Sequence, residues 1–237
     1  MEQPTHNIVR RIFRKATFGH DKFILVQKQR IHYIEAGKGE AVVLLPGTYS
    51  THRIWNRLTP LLAAEYRVLA PNYEVEHIST ETQTDLIARM VQQMGIGKVN
   101  LVGGLTGGAV VFDFSARYPD LVNKIICIQG RVFPDSYDSK NTGKKWYKIN
   151  VFSGQQSNKF EERAKLIQAP ILYLYGTKSD NKTIPLRKNL EYLKNYLPQA
   201  WIIALEGGIH DLSMHKPEEI ADLILVFLKT NLSKPKL

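Results

Sequence analysis

The sequence predicts an α/β fold in which helices cover both faces of a mostly parallel sheet. Two adjacent segments, Phe23–Gln27 and Arg30–Glu35, have the composition of paired edge strands. From Ala41 onward, short apolar segments alternate with segments whose apolar residues recur at helical spacing. Regular alternation of strand and helix is typical of a parallel sheet, because each crossover helix packs back onto one of its faces.

The strands of the alternating region are continuous apolar runs, as expected for strands that are buried on both faces. They are predicted at Ala41–Leu45, Arg67–Pro71, Lys98–Val102, Lys124–Ile128, Ile171–Tyr175 and Trp201–Leu205. The predicted helices, each with one apolar stripe, are Ile54–Glu65, Glu81–Met94, Gly108–Tyr118, Leu186–Tyr196 and Pro217–Leu228. Gly95 and Pro119 are the stop signals of the second and third helices, and Pro217 suits the first position of the last.

The chain has 237 residues, of which 43% are apolar, and this is enough for one globular domain with a substantial core. No apolar run approaches the ~18 residues that a membrane span needs, and basic residues interrupt the N-terminal region where a secretory signal would lie. We therefore expect a cytoplasmic protein with no transmembrane segment. The single cysteine, Cys127, excludes an internal disulfide framework and a cysteine-rich metal site.

The formal net charge of the chain is +10. Such a charge can favour nucleic acid, anionic membranes or acidic partners, but it also fits an ordinary lysine-rich surface. The basic residues are spread out, with denser groups at Arg10–Lys15 and Lys140–Lys148, and no nucleic-acid-binding motif is present. We interpret the charge as a solvated surface and expect no nucleic-acid partner. The oligomeric state does not follow from the sequence.

Residues 131–165 differ in composition from the rest of the chain, with many Lys, Ser, Asn and Tyr residues and few aliphatic ones. We expect this segment to be irregular. An insertion after a mid-sheet strand lies over the carboxyl ends of the strands, where open α/β sheets bind their ligands. The sequence therefore predicts a single domain over residues 1–237, with 131–165 as a small lid.

One segment, Asn100–Phe112, combines an apolar strand, a glycine cluster and the start of a helix. This order is that of a nucleophile elbow, a sharp strand-to-helix turn that presents one side chain above the sheet and normally reads Gly-x-Ser-x-Gly. The cluster contains no serine. If Gly103–Gly107 is the motif, Leu105 stands at the nucleophile position; if Gly104–Gly108 is the motif, Thr106 stands there.

The elbow is one of four local features that occur in a fixed order. The four are Val42–Gly47 with Trp55 downstream, Tyr66–Asn72, the elbow, and Gly207–His210 followed by Pro217. Together they resemble the α/β-hydrolase fold family, over about residues 22 to 230. In that family the helix after the elbow often ends Ala-Arg-x-Pro, and Ala116–Pro119 matches this only when Leu105 replaces the nucleophile.

The resemblance assigns roles to residues around the elbow. His210 has the spacing of the family's catalytic base, and Asp180 is implied as the acid that orients it. The implied oxyanion and pocket residues are Gly47, Thr48, Tyr49 and, through its backbone N–H, Thr106. The resemblance implies no cofactor, and no cluster of residues has the spacing of metal ligands.

A leucine cannot attack a carbonyl, so three hypotheses remain open. The first is a protein that keeps the pocket without the covalent chemistry and binds a small, largely apolar, uncharged or anionic ligand, or serves as an interaction module. The second is an enzyme that uses His210, with or without Asp180, as a general base in lyase, cyclase or non-covalent hydrolytic chemistry. The third is an esterase-like hydrolase with Thr106 as nucleophile.

Overall fold

The computed structural model describes residues 19–47, 50–72, 80–132, 157–179 and 186–231. Within these residues, eight strands form one sheet. The strands are β1 (His20–Val26), β2 (Gln29–Ala36), β3 (Ala41–Leu45), β4 (Arg67–Asn72), β5 (Val99–Gly104), β6 (Val122–Ile128), β7 (Ile171–Gly176) and β8 (Ala200–Leu205). Their order across the sheet is β1-β2-β4-β3-β5-β6-β7-β8.

The sheet is parallel apart from its first two strands. β1 pairs antiparallel with β2, and β2 pairs antiparallel with β4, where His32 lies opposite Asn72. The remaining neighbouring pairs among the described strands are parallel. The prediction of a mostly parallel sheet is confirmed, although β2 lies between β1 and β4 rather than at an edge.

Seven α-helices lie in the described part of the chain, and none of these helices is long and apolar enough to cross a membrane. They are α1 (Thr59–Leu62), α2 (Thr80–Gln93), α3 (Gly107–Arg117), α4 (Ser157–Ala164), α5 (Leu186–Tyr196), α6 (Leu212–His215) and α7 (Pro217–Lys229). Short 3-10 helices occupy His52–Trp55 and Pro119–Leu121.

One face of the sheet is covered by the helices that follow β4, β5 and β7. Ile87 of α2, Phe112 of α3 and Leu193 of α5 belong to one buried apolar cluster with strand residues such as Val43 and Ile125. Burial of each large apolar side chain of this kind stabilises the fold by about 1.5–3 kcal/mol. These crossover helices are therefore held on the sheet mainly by their apolar stripes.

The opposite face is covered by α1, the 3-10 helix before it and α7. Leu62, Trp55 and Ile224 form a second buried cluster with strand residues such as Val42. Val42 and Val43 are neighbours in β3, and neighbouring side chains in a strand point to opposite faces. The two clusters therefore lie on opposite sides of the sheet, and the prediction of helices on both faces is confirmed.

The predicted helix Ile54–Glu65 is wrong in its extent. The segment instead contains the 3-10 helix His52–Trp55 and the short helix α1, which has a proline in its first turn. In a continuous helix the ring of Pro60 would clash with the carbonyl group four residues earlier, at Asn56. A new helix that begins at Thr59 places Pro60 where a proline is tolerated.

The prediction that residues 131–165 are irregular is wrong at their C-terminal end, where α4 forms. Arg163 of α4 makes a 2.6 Å ion pair with Asp113 of α3, and the Asp113 side chain is only 2% exposed. Burial raises the pKa of Asp113 even though Arg163 and Arg117 lower it. The sequence of α4 is mostly polar, so it lacks the apolar stripe that would have predicted a helix.

The predicted lid is described only at its two ends. Residues 133–156, which include the basic group Lys140–Lys148, lie outside the described residues, and so does Arg10–Lys15. The lid at 131–165 and the single domain over 1–237 therefore stay predictions.

A buried lysine joins the sheet to the last helix. Lys124 of β6 is 8% exposed, and its Nζ donates to the backbone carbonyl oxygens of Phe227 at 3.0 Å, Leu228 at 2.5 Å and Thr230 at 2.8 Å. Carbonyl groups at the C-terminus of a helix lack intrahelical partners and carry partial negative charge. The ammonium of Lys124 therefore satisfies the end of α7 and fixes it beneath the amino end of β6.

Candidate functional site

The predicted elbow lies between β5 and α3, at the carboxyl edge of the sheet. Leu105 directly follows the last residue of β5 and has a φ of 55°, in the left-handed region that L-residues rarely adopt. Thr106 has φ −70° and ψ −21°, an ordinary right-handed helical conformation, and α3 begins immediately after it. The residue with the strained backbone in this turn is therefore Leu105.

Two glycines allow α3 to approach the sheet closely. A Cβ atom at Gly103 would lie 2.5 Å from the carbonyl oxygen of Gly107. A Cβ atom at Gly107 would overlap the carbonyl oxygen of Leu45, at the end of β3. A larger side chain at either position would separate the helix from the strands, so these glycines make the turn tight.

Backbone hydrogen bonds hold Leu105 in place. Its N–H donates to the carbonyl oxygen of Ile128 at 3.4 Å. Its carbonyl oxygen accepts from the N–H groups of Gly108 at 3.3 Å and Arg131 at 2.8 Å. The elbow is therefore tied to the segment that leaves β6 as well as to its own helix.

The loop after β3 meets the elbow at Gly47. A Cβ atom at Gly47 would lie 3.0 Å from Leu105 Cβ and 3.1 Å from Thr106 Oγ1. The structure thus brings together Gly47 and Thr106, two of the residues for which backbone N–H donors are predicted. Thr48 and Tyr49 lie outside the described residues, and their predicted roles stay untested.

A cleft of about 310 Å³ opens at the elbow, and both Leu105 and His210 line it. The two residues are far apart in the sequence and come from the ends of β5 and the turn after β8. Asp180 lies outside the described residues, so its pairing with His210 stays a prediction. The other lining residues include the apolar Ile54, Ile128, Leu212 and Met214 and the polar Ser50, Arg53, Gln129 and Ser213.

Comparison with known proteins agrees with this architecture. A family model for the alpha/beta hydrolase fold matches residues 40–150. The solved structure of a meta-cleavage product hydrolase from Pseudomonas fluorescens IP01 superposes with a TM-score of 0.70, over 87% of this chain and 97% of that chain, at 18% sequence identity. The chain has the α/β-hydrolase fold. The fold predicted from the sequence is confirmed.

Two curated relatives of this α/β-hydrolase-fold protein match only part of its sequence. The 2-hydroxy-6-oxo-6-phenylhexa-2,4-dienoate hydrolase of Burkholderia cepacia is 33% identical over 123 residues, which cover 44% of this chain and 43% of the relative. The soluble epoxide hydrolase of Corynebacterium sp. (strain C12) is 28% identical over 112 residues, which cover 44% of this chain and 39% of the relative. The chain thus matches less than half the length of each relative.

Gln129 belongs to the cleft of this α/β-hydrolase-fold protein, and sequence reasoning missed it. It follows β6 directly, is 1% exposed and has a φ of 48°. Its Oε1 accepts from the N–H of Gly176 at 2.7 Å, and its Nε2 donates to Ser179 Oγ at 2.7 Å. A glutamine at the carboxyl end of a predicted strand was the only signal in the sequence, and no motif contains it.

The turn that precedes His210 is bonded to the turn after β7. The N–H of Thr177 donates to the carbonyl oxygen of Leu205 at 3.1 Å, and that of Lys178 donates to the carbonyl oxygen of Gly208 at 2.9 Å. In the reverse direction, the N–H of Gly207 donates to Thr177 Oγ1 at 2.9 Å. The two turns therefore form one bonded unit at the edge of the cleft.

A second buried amide, Asn189 of α5, holds the segment that leaves β6. Its Nδ2 donates to the carbonyl oxygen of Gly130 at 2.9 Å and to Tyr173 Oη at 3.1 Å, and its Oδ1 accepts from the N–H of Val132 at 3.3 Å. Asn189 is fully buried. The backbone N–H of Arg131, which lies between Gly130 and Val132, donates to the carbonyl oxygen of Leu105. The hydrogen bonds of Asn189 therefore hold the segment that contacts the elbow.

A histidine pair links β2 to the 3-10 helix His52–Trp55. The ring of His52 packs edge-on against that of His32, with centroids 5.2 Å apart, and His32 Nε2 lies 2.6 Å from Asp21 Oδ1. Burial, and then the neighbouring His32, lower the pKa of His52. Both effects favour the neutral form of the His52 imidazole. Among the described residues, no group of three His, Cys, Asp or Glu side chains is arranged to hold a metal ion.

Proposed function

We propose that this protein binds a small, largely apolar molecule in the cleft at the elbow and forms no acyl-enzyme there, because Leu105 occupies the nucleophile position. The observation that carries the proposal is the left-handed backbone of Leu105 beside the helical backbone of Thr106. An elbow presents its nucleophile on the strained residue of the turn. That residue is a leucine, whose side chain has no lone pair to attack with and no proton to lose.

A serine hydrolase that loses its nucleophile loses most of its catalytic rate, but its oxyanion donors and its substrate pocket remain. Oxyanion donors and substrate binding retain part of the catalytic effect when a triad member is absent. In this chain the backbone around Gly47 and Thr106 keeps its close packing against Leu105. The proposal is therefore a preserved pocket without covalent catalysis.

The walls of the cleft favour a ligand of limited size that is largely apolar and carries few polar groups. A volume of about 310 Å³ is near the lower end of small-molecule sites, which run from about 300 to 1,000 Å³. Ile128, Leu212 and Met214 offer apolar contact, and two charged residues, Arg53 and Asp211, also line the cleft. A small molecule that is uncharged, or anionic and bound on the side of Arg53, fits these walls. The relatives are named as hydrolases of a dienoate and of a dienedioate or trienedioate, which are small carboxylates, and these names support an anionic ligand for this chain.

A second candidate function is general-base catalysis by His210. The observation in its favour is that His210 and Leu105 line one cleft, so a bound molecule contacts both. A positioned histidine can remove a proton from a substrate or from water without any serine. Turnover that is present in the wild type and lost in His210→Gln would assign this role. The helical backbone of Thr106 argues against the third hypothesis, in which Thr106 is the nucleophile.

Ligand binding is tested by screening small aromatic and aliphatic acids, esters and amides by fluorine NMR against the wild type and two tryptophan variants. Met214→Trp places a large ring in the wall of the cleft, whereas Val226→Trp places the same ring on a residue of α7 that is 63% exposed and does not line the cleft. We expect hits whose binding is lost in Met214→Trp and kept in Val226→Trp. Hits that survive in Met214→Trp, or an absence of hits, would contradict the proposal.

A further inference from the structure

We propose that Gln129 is a positioning residue that sets the orientation of His210 in the cleft, and this inference rests on the proposed role of that cleft. Gln129 does not need to touch His210. It acts through two turns, residues 176–179 and residues 205–208, that lie between them in the hydrogen-bond network. His210 follows the second turn by two residues.

The first step is the clamp on the turn after β7. The side-chain amide of Gln129 accepts from Gly176 N–H and donates to Ser179 Oγ, both at 2.7 Å. These two bonds hold the first and last residues of the turn. Because Gln129 is only 1% exposed, losing either bond leaves an atom of its buried amide without that partner, which is unfavourable. Ser179 is also the residue that precedes the predicted acid, Asp180, in the chain.

The second step is the contact between the two turns. Gly176 packs directly on Gly208, since a Cβ at Gly176 would overlap the carbonyl oxygen of Gly208. The N–H of Lys178 donates to that same carbonyl oxygen at 2.9 Å, and Thr177 bonds to Leu205 and Gly207. A displacement of the first turn is therefore transmitted to the second, and from there to His210.

The backbone of Gln129 has an unfavourable conformation, although its side chain is well bonded. Its φ of 48° lies in the left-handed region, which is unfavourable for an L-residue relative to the right-handed one. The strain is held by the bond from Gln129 N–H to the carbonyl oxygen of Leu174, at 2.7 Å. Strained residues of this kind cluster at functional sites, where the surrounding structure fixes a side chain that the site requires. Here the required side chain is an amide that both donates and accepts.

The test compares two substitutions that each remove a buried side-chain amide and preserve its approximate volume. Gln129→Met removes the clamp. Asn100→Leu is the matched control: Asn100 is 1% exposed and donates to the carbonyl oxygen of Ala41 at 3.3 Å, but it lies in the amino half of β5, at the end away from the cleft. Ser179→Ala removes only one of the two clamp bonds, and it serves if Gln129→Met does not fold.

The first readout is the imidazole ¹⁵N shifts of His210, assigned with His210→Gln. We expect Gln129→Met, and to a smaller extent Ser179→Ala, to move the His210 signals further than those of the other histidines, whereas Asn100→Leu leaves them in place. The second readout uses Leu105→Ser as the parent and measures its rate of labelling by a fluorophosphonate. We expect added Gln129→Met to slow labelling by about 10- to 100-fold, since a shift of about 1 Å can cost that much.

The inference is overturned if Gln129→Met leaves both readouts unchanged, or if Asn100→Leu changes them as much. The second result would mean that loss of stability alone disturbs His210. If the Leu105→Ser parent does not label at all, the proposed elbow site fails, and the His210 signals of the otherwise unmodified protein still decide the role of Gln129.

Discussion

Glycine is expected to stabilise the protein more than alanine does at position 105. Leu105→Gly and Leu105→Ala both remove the leucine side chain beyond Cβ, so the comparison between the two variants isolates the backbone. Leu105 has a φ of 55°, which glycine adopts readily and alanine does not. The matched control is Lys188, an exposed residue inside helix α5.

The expected magnitudes follow from the two backbone conformations. The left-handed region costs alanine about 1–2 kcal/mol. Glycine has more conformational freedom in the unfolded chain than alanine, and its greater loss of entropy on folding favours the alanine variant by about 0.4–1 kcal/mol. Leu105→Gly is then more stable than Leu105→Ala by up to about 1.6 kcal/mol, with about 0.8 kcal/mol at the middle of the two ranges. In the helix the sign is opposite, with Lys188→Gly less stable than Lys188→Ala by about 1 kcal/mol.

Urea unfolding followed by tryptophan fluorescence gives the free energy of unfolding of the four variants. The free energy of unfolding of the glycine variant minus that of the alanine variant is expected to change by about 1–2.6 kcal/mol between the two positions. If glycine is less stable than alanine at both positions, residue 105 does not have a left-handed backbone. The assignment of Leu105 to the nucleophile position would then be refuted.

Two further predictions concern charged groups outside the cleft. Lys124→Met is expected to lower the free energy of unfolding, measured by urea titration, by about 2–3 kcal/mol, because three carbonyl groups at the end of α7 lose a charged donor. The control is Lys98→Met at an exposed residue, which is expected to change the free energy of unfolding by less than about 0.5 kcal/mol. Burial raises the pKa of Glu35, but hydrogen bonds from Lys22 and Arg67 outweigh burial and hold that pKa below its ordinary value of 4.5. A lowered carboxyl pKa contributes stability that is present above the unfolded-state pKa and is lost as the pH falls through the folded-state pKa. Stability measured from pH 7 down to pH 3 is therefore expected to fall less steeply in Glu35→Gln, and an unchanged slope would contradict this assignment.

The sheet could be predicted from the sequence because strands buried on both faces need apolar side chains at every position. Ala41–Leu45 was predicted residue for residue for this reason, and it forms β3. Helices were harder to place where packing did not require a clear apolar stripe. The polar helix α4 is held on α3 through an ion pair between Arg163 and Asp113, and such a long-range pair leaves no periodic signal.

The candidate site could be predicted only where a motif fixes the spacing of its residues. The roles of Leu105 and His210 were predicted in this way and stay predictions, and both residues line one cleft. Gln129 and Asn189 were missed because their partners lie on other elements, such as Gly176 for the first and Val132 for the second. Their importance arises from burial and from hydrogen bonds that exist only in the folded chain.

Covalent labelling with a fluorophosphonate, read by intact mass, tests whether Leu105 occupies the nucleophile position. The reagent modifies an activated hydroxyl next to a histidine base, and the wild type, Leu105→Ser and Thr106→Ala are compared under the same conditions. We expect the wild type to stay unlabelled and Leu105→Ser to gain the mass of one adduct. A wild type that labels, and loses its label in Thr106→Ala, would show that Thr106 is the nucleophile and that Leu105 does not occupy the nucleophile position.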